Sequence, residues 1–151
     1  MKILFVGLGS IGQRHLRNLK KFFPKFKILA YRKLNRKLSL DNKNRVQRFN
    51  LNKRYDIKVF RNFEKALVEK PDVIFICNPT SMHMKYALAA AKKKIHVFID
   101  KPLSHNLNNV KKLEKIVIKN KIIFMVGYQM RFLKSLNFIK NQIDKSNLGK
   151  L

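Results

Sequence analysis

The chain has 151 residues, the size of one ordinary domain, and its 46% hydrophobic and 11% aromatic content is too apolar for disorder. A single cysteine excludes a disulfide framework or a multi-cysteine zinc site, and no apolar run approaches the roughly 18 residues of a membrane helix. Thirty-five Lys plus Arg against eight Asp plus Glu give +27, a balance that invites a polyanionic partner.

Lys2 to Val6 is a short apolar run ending at Gly7 and reads as a buried strand. Ile11 to Phe23 follows helical spacing and is stopped by Pro24. Lys27 to Tyr31 reads as a second strand. Residues 33 to 56 are polar, basic and weakly periodic, and no element is assigned there. Ile57 to Phe60 reads as a third strand, and Phe63 to Lys70 as a short helix ended by Pro71. Asp72 to Cys77 is a continuous apolar strand of the kind buried on both faces of a parallel sheet. Thr80 or Ser81 can cap a helix running to about Lys94, whose Ala87, Ala89, Ala90 and Ala91 permit close approach to the sheet. His96 to Ile99 is a fifth strand, Leu107 to Asn120 a helix, and Ile122 to Val126 a sixth strand. Phe132, Leu133, Leu136, Ile139 and Ile143 mark a last amphipathic helix. Such alternation predicts a doubly wound α/β domain with a parallel sheet of about six strands, over residues 1–126.

The basic residues are spread along the chain, and no zinc-finger spacing, aromatic RNA-binding motif or helix-turn-helix accompanies them. Lys, Asn, Ile and Phe number 26, 15, 14 and 12, and all four have A/T-rich codons, so a biased genome accounts for the mixture. Nucleic acid is therefore not the expected partner. The apolar start is too short for a signal peptide, which with the single cysteine points to the cytoplasm.

Ligands of a doubly wound sheet bind beyond the carboxyl ends of its strands. The first strand is followed by Gly7-Leu8-Gly9-Ser10-Ile11-Gly12, a G-x-G-x-x-G between strand and helix. Gly7 permits the tight turn, Gly9 lets a pyrophosphate approach, and Gly12 packs helix on strand. The helix start at Ser10 and Ile11 supplies amides and the positive end of the dipole. Twenty residues past Gly12, where an acid normally grips the adenosine ribose, stands Arg32. An arginine there can pair with a 2′-phosphate or stack on adenine, favouring NADP while NAD stays open.

The fourth strand is followed by Asn78-Pro79-Thr80-Ser81-Met82-His83, with His83 placed either on the ligand-facing edge of the helix or as a structural histidine. After the fifth comes Asp100-Lys101-Pro102-Leu103, where Lys101 can hydrogen-bond a substrate hydroxyl and relay its proton. The sixth is followed by Gly127-Tyr128-Gln129-Met130-Arg131-Phe132, with Arg131 the candidate cofactor contact. No cluster of metal ligands appears.

Taken in order, the text of Gly7 to Leu19, N-P-T-x-x-H at Asn78 to His83, D-K-P-L at Asp100 to Leu103 and G-Y-x-x-R-F at Gly127 to Phe132 resembles the Gfo/Idh/MocA sugar dehydrogenases. The resemblance implies an NAD(P)-binding Rossmann domain of an oxidoreductase that moves hydride between nicotinamide and a sugar, polyol or nucleotide-sugar hydroxyl. It implies that Lys101 lies near substrate and nicotinamide, that Asp100 stands where the family usually has Glu, and that the Lys101–Pro102 bond is cis. It further implies a second, substrate-lining domain with an Asp-x-x-x-His motif and a share in homo-oligomer interfaces. That domain is expected to be absent here, residues 127–151 forming only the loop and helix towards it. The alternative is a non-catalytic dinucleotide sensor whose basic surface binds a polyanion. His15 reads as packing and Cys77 as an inert buried thiol.

Overall fold

The computed structural model describes residues 1–33, 39–41, 43, 45–145 and 149. Strand β1 (Lys2–Val6) leads into helix α1 (Ser10–Phe22), and β2 (Lys27–Tyr31) follows Pro24. Two short strands, β3 (Ser39–Leu40) and β4 (Val46–Gln47), pair antiparallel before α2 (Leu51–Tyr55) and β5 (Ile57–Phe60). Next come α3 (Phe63–Val68), β6 (Val73–Ile76), a 3-10 turn at Thr80–Met82 and α4 (His83–Lys92). The chain continues through β7 (His96–Asp100), α5 (Val110–Asn120), β8 (Phe124–Gly127), a 3-10 turn at Gln129–Phe132 and α6 (Lys134–Asp144).

The main sheet has the order β5-β2-β1-β6-β7-β8, and every neighbouring pair is parallel. Ile3 of β1 stands opposite Ile28 of β2 on one side and Val73 of β6 on the other. Connections run outward in both directions from β1 and β6, so a crevice opens where their carboxyl ends diverge.

Residues of β1 alternate between two cores, as a strand's period of two requires. Leu4 and Val6 join Ile74, Ile76 and the α4 alanines 87, 90 and 91 on one face. Ile3 and Phe5 join Ile28 and Leu16 of α1 on the other. Full burial of each large aliphatic or aromatic side chain contributes about 1.5–3 kcal/mol. The alanines let α4 settle close to the sheet, as their spacing predicts.

Between residues 39 and 56, the described residues carry more order than the sequence suggests. The β3–β4 ladder is too short to show a period, and α1 holds it by side chain. Gln13, 1% exposed, accepts from the Leu40 amide through Oε1 (2.8 Å) and donates through Nε2 to the Leu8 carbonyl (3.1 Å). Arg17 donates to the Leu40 carbonyl at 2.7 Å. Asn50 caps α2, its side chain accepting from the amides of Asn52 and Lys53.

One expected cap is corrected. Neither Thr80 nor Ser81 makes a side-chain cap, because a 3-10 turn occupies their positions and α4 begins only at His83. At the other end, α6 buries none of its residues, with Phe138 63% and Ile139 46% exposed. Of the segment 127–151 expected to lead towards a second domain, residues 146–148, 150 and 151 lie outside the described residues. Among the described residues no helix is long and apolar enough to cross a membrane, and no three metal-ligating side chains cluster.

Candidate functional site

The three glycines after β1 have different surroundings. Gly7 sits at φ +92°, and a Cβ there would meet the Cys77 carbonyl oxygen at 3.0 Å and the Asn78 amide nitrogen at 3.1 Å. Both the backbone angle and the close contacts disfavour an L side chain there. A Cβ on Gly12 would lie 2.5 Å from the Gly7 oxygen, so α1 rests directly on the end of β1. A Cβ on Gly9 would meet nothing within 4 Å. Gly9 is the N-cap of α1, and the first intrahelical bond runs from the Gln13 amide to its carbonyl at 2.9 Å. The helix begins at Ser10, so the positive end of its dipole lies there.

The open space beside Gly9 is part of a cleft of about 830 Å³ at the diverging ends of β1 and β6. Gly7, Gly9, Ser10 and Ile11 line it from the glycine loop, Arg32 from the end of β2, and Asn78 and Pro79 from the end of β6. Tyr86 and Arg14 complete its walls from the helices. Among the described residues no acidic side chain lines it. The Asn78 Oδ1 is buried and finds no hydrogen-bond partner among the described residues. A buried acceptor left unpaired costs about 1–3 kcal/mol, so a donor entering the cleft would be favoured there. Burial first, and then its hydrogen bond with Tyr31, push the Tyr86 phenol up to about 12, so it lines the cleft as a neutral group.

Arg32 has an unforeseen neighbour. Arg61, just beyond β5, donates to the Arg32 carbonyl at 3.1 Å, while the Arg32 amide donates to Phe60. Burial, and then the nearby Arg61 charge, hold the Arg32 guanidinium below its ordinary range. Two like charges at one strand edge favour an anion between or beside them. Arg61 escaped the sequence reading because the sheet order, not chain proximity, brings β5 beside β2.

The remaining candidates lie outside the cleft lining. His83 is 2% exposed, with Nε2 2.8 Å from the Asn78 carbonyl oxygen and Nδ1 2.9 Å from that of Pro102. It does not sit on a ligand-facing edge, because its ring is occupied in holding two loops together. Thr80 is half-buried in the 3-10 turn, and Arg131 is exposed in the second such turn. Lys101 is exposed, and its bond to Pro102 is cis.

Asp100 ends β7 and lies 3.9 Å from the His15 Nε2, too far for a hydrogen bond. His15 packs edge-on against Phe98, with ring centroids 4.9 Å apart. Burial holds His15 below its ordinary range, although Asp100 pulls the other way and Arg14 adds to the lowering. Cys77 is buried at the end of β6, and desolvation, helped by the Asp100 charge, pushes its thiol up to about 12.

A parallel sheet of order β5-β2-β1-β6-β7-β8, with a glycine loop and an open helix start at its switch point, defines a dinucleotide-binding domain of the Rossmann class. Residues 1–128 match the Gfo/Idh/MocA description "Oxidoreductase family, NAD-binding Rossmann fold", and the chain belongs to that family. It is 30% identical to the myo-inositol 2-dehydrogenase of Thermotoga maritima, over 99% of this chain and 42% of that protein. It is 26% identical to the scyllo-inositol 2-dehydrogenase (NAD(+)) of Bacillus subtilis, over 96% of this chain and 40% of that protein. Among solved structures, myo-inositol 2-dehydrogenase from Lactobacillus plantarum superimposes with TM-score 0.78 at 25% identity, covering 100% of this chain and 43% of that one. The chain thus spans about two fifths of the length of the relatives it matches.

Proposed function

We propose that the chain is the cofactor-holding part of an NAD(P)-dependent oxidoreductase acting on a hydroxyl of a sugar, polyol or nucleotide sugar. The observation that carries this reading is the cleft at Gly9, which combines open space, a helix start and the orphaned Asn78 Oδ1. These features fit a dinucleotide. Gly9 leaves room for a pyrophosphate, and the start of α1 faces it with the positive end of the helix dipole. Asn78 accepts from a ribose hydroxyl or a carboxamide, with Pro79 fixing the loop. When bound, the nicotinamide supplies a hydride acceptor or donor. The inositol dehydrogenases among the relatives support a polyol-type substrate.

NADP is favoured over NAD. Arg32 lines the cleft with Arg61 against its backbone, and no carboxylate among the described residues lines it to grip a ribose 2′-hydroxyl. To Lys101, one residue past β7, we assign the holding of the substrate hydroxyl and the exchange of its proton with solvent. Asp100, at the end of β7, and Arg131, in the turn beyond β8, are assigned to that end of the site.

Titration of the chain with NADPH and NADH tests the reading, and binding of neither at millimolar concentration would overturn it. Arg32→Ala is expected to weaken NADPH by about 10–100-fold, the size of a lost charge-assisted hydrogen bond, and NADH by less than about threefold. An equal loss for both would remove the NADP preference while leaving the dinucleotide site. In a chain that also carries the substrate domain, Lys101→Ala should lower turnover with cofactor affinity unchanged.

A further inference from the structure

We propose that His83 is a positioning residue that fastens the Lys101 loop to the cofactor loop and passes occupancy of the cleft on to Lys101. The inference rests on the dinucleotide reading above. The ring opens α4, is 2% exposed, and lies between two carbonyl oxygens, that of Asn78 at 2.8 Å and that of Pro102 at 2.9 Å. Asn78 lines the cleft, and Pro102 directly follows Lys101. One buried side chain therefore bridges the backbone of both loops, and holds both at once in the form that carries an N–H on each ring nitrogen, since both partners are carbonyl acceptors.

Little else holds the Lys101 loop. Between β7 and α5 the chain forms no regular element. Among the described residues, the other side-chain hydrogen bonds of residues 101–108 stay within that segment, as from the Asn108 amide to Asn106 Oδ1 at 2.9 Å. Leu103 adds packing against the core. A ligand that bonds Asn78 fixes the peptide on which Nε2 rests, and the rigid ring carries that constraint to Pro102.

Because both partners are acceptors, amide side chains can divide the clasp. Asn at position 83 places a donor near the Nδ1 position, towards Pro102. Gln places one near the Nε2 position, towards Asn78.

The test is amide hydrogen exchange of residues 101–107 in the full chain, with and without saturating ADP-ribose. This probe carries the pyrophosphate and both riboses but no nicotinamide to touch Lys101 directly. In the unaltered chain, ADP-ribose should slow exchange of these amides by about tenfold, the worth of one buried hydrogen bond. His83→Leu should raise basal exchange about tenfold and abolish the response. His83→Asn should keep the basal protection and lose the response, a separation that a merely structural histidine does not produce. His83→Gln should lose both. If His83→Leu fails to fold, the Asn and Gln variants carry the test. ADP-ribose binding with no response in the unaltered chain, or a response surviving in either amide variant, overturns the inference alone. Absence of ADP-ribose binding overturns the reading of the cleft and this inference with it.

Discussion

Gly7, Gly9 and Gly12 share one loop, and substitution should separate what each supplies. A methyl at Gly12 meets the Gly7 oxygen at 2.5 Å, and one at Gly7 adds a positive-φ strain, so both alanine variants lose stability by about 1–3 kcal/mol. For a chain of this length that lowers Tm by roughly 2–12 °C. Gly9→Ala meets nothing and should melt within about 2 °C of the parent, yet bind NADPH at least tenfold more weakly because the methyl enters the cleft. Thermal melts and nucleotide titration of the three variants check the division. A destabilised Gly9→Ala, or one with full affinity, would contradict it. Cys77 gives the residue scale its pH dependence. Its thiol stands at about 12 in the folded chain against an ordinary value near 9.0. A raised acid is neutral in both states below pH 9, so its contribution is fully present there. Between pH 9 and 12 the unfolded chain releases the proton first, and stability falls by up to about 1.4 kcal/mol per pH unit. Urea unfolding across that range should show this slope in the parent and a shallower one in Cys77→Ala.

At the scale of elements, Gln13 joins α1 to the β3–β4 hairpin. Gln13→Leu keeps the volume but leaves the Leu40 amide and the Leu8 carbonyl without this partner, at a cost of about 1–3 kcal/mol. Exchange of the Leu40 amide should quicken by tenfold or more while that of Ile3 to Val6 in β1 follows only the global change. Uniform quickening would mean that Gln13 supports the whole fold rather than the hairpin. The same residue shows where sequence legibility stops. Apolar runs such as Lys2–Val6 and Lys27–Tyr31 match their strands residue for residue, because burial on both faces leaves no other pattern. The glycine loop was equally legible, since its chemistry is local. In the sequence Gln13 is one polar position on an amphipathic helix, and its partner Leu40 lies in a stretch without period. His83 was read by helix position, while its partners are loop carbonyls, one of them beyond the next strand. Arg61 needed the strand order before it could be set beside Arg32. Local patterns were readable, and contacts made by tertiary crossing were not.

For the whole molecule, the +27 charge acts on folding and on binding with opposite sign. The described ion pairs free of histidine are Arg45–Asp41 at 2.8 Å and Lys58–Glu69 at 2.6 Å, so most basic side chains face like charges through solvent. Such surface pairs contribute about 0–1 kcal/mol and do not offset the repulsion. Salt screens that repulsion, since the Debye length falls from about 30 Å at 0.01 M to about 10 Å at 0.1 M. Raising NaCl from 10 to 300 mM should therefore stabilise the chain by about 1 kcal/mol and raise Tm by roughly 2–4 °C. The same screening weakens attraction of an anionic dinucleotide to Arg14, Arg32 and the start of α1, so NADPH affinity should fall over that range. The fall should be smaller for NADH, which lacks the 2′-phosphate that the proposed NADP preference sets against Arg32. A Tm that drops with salt would mean that the charges are paired more fully than the fold indicates. Equal salt sensitivity of the two nucleotides would place the basic residues around the pyrophosphate, not at the adenosine end.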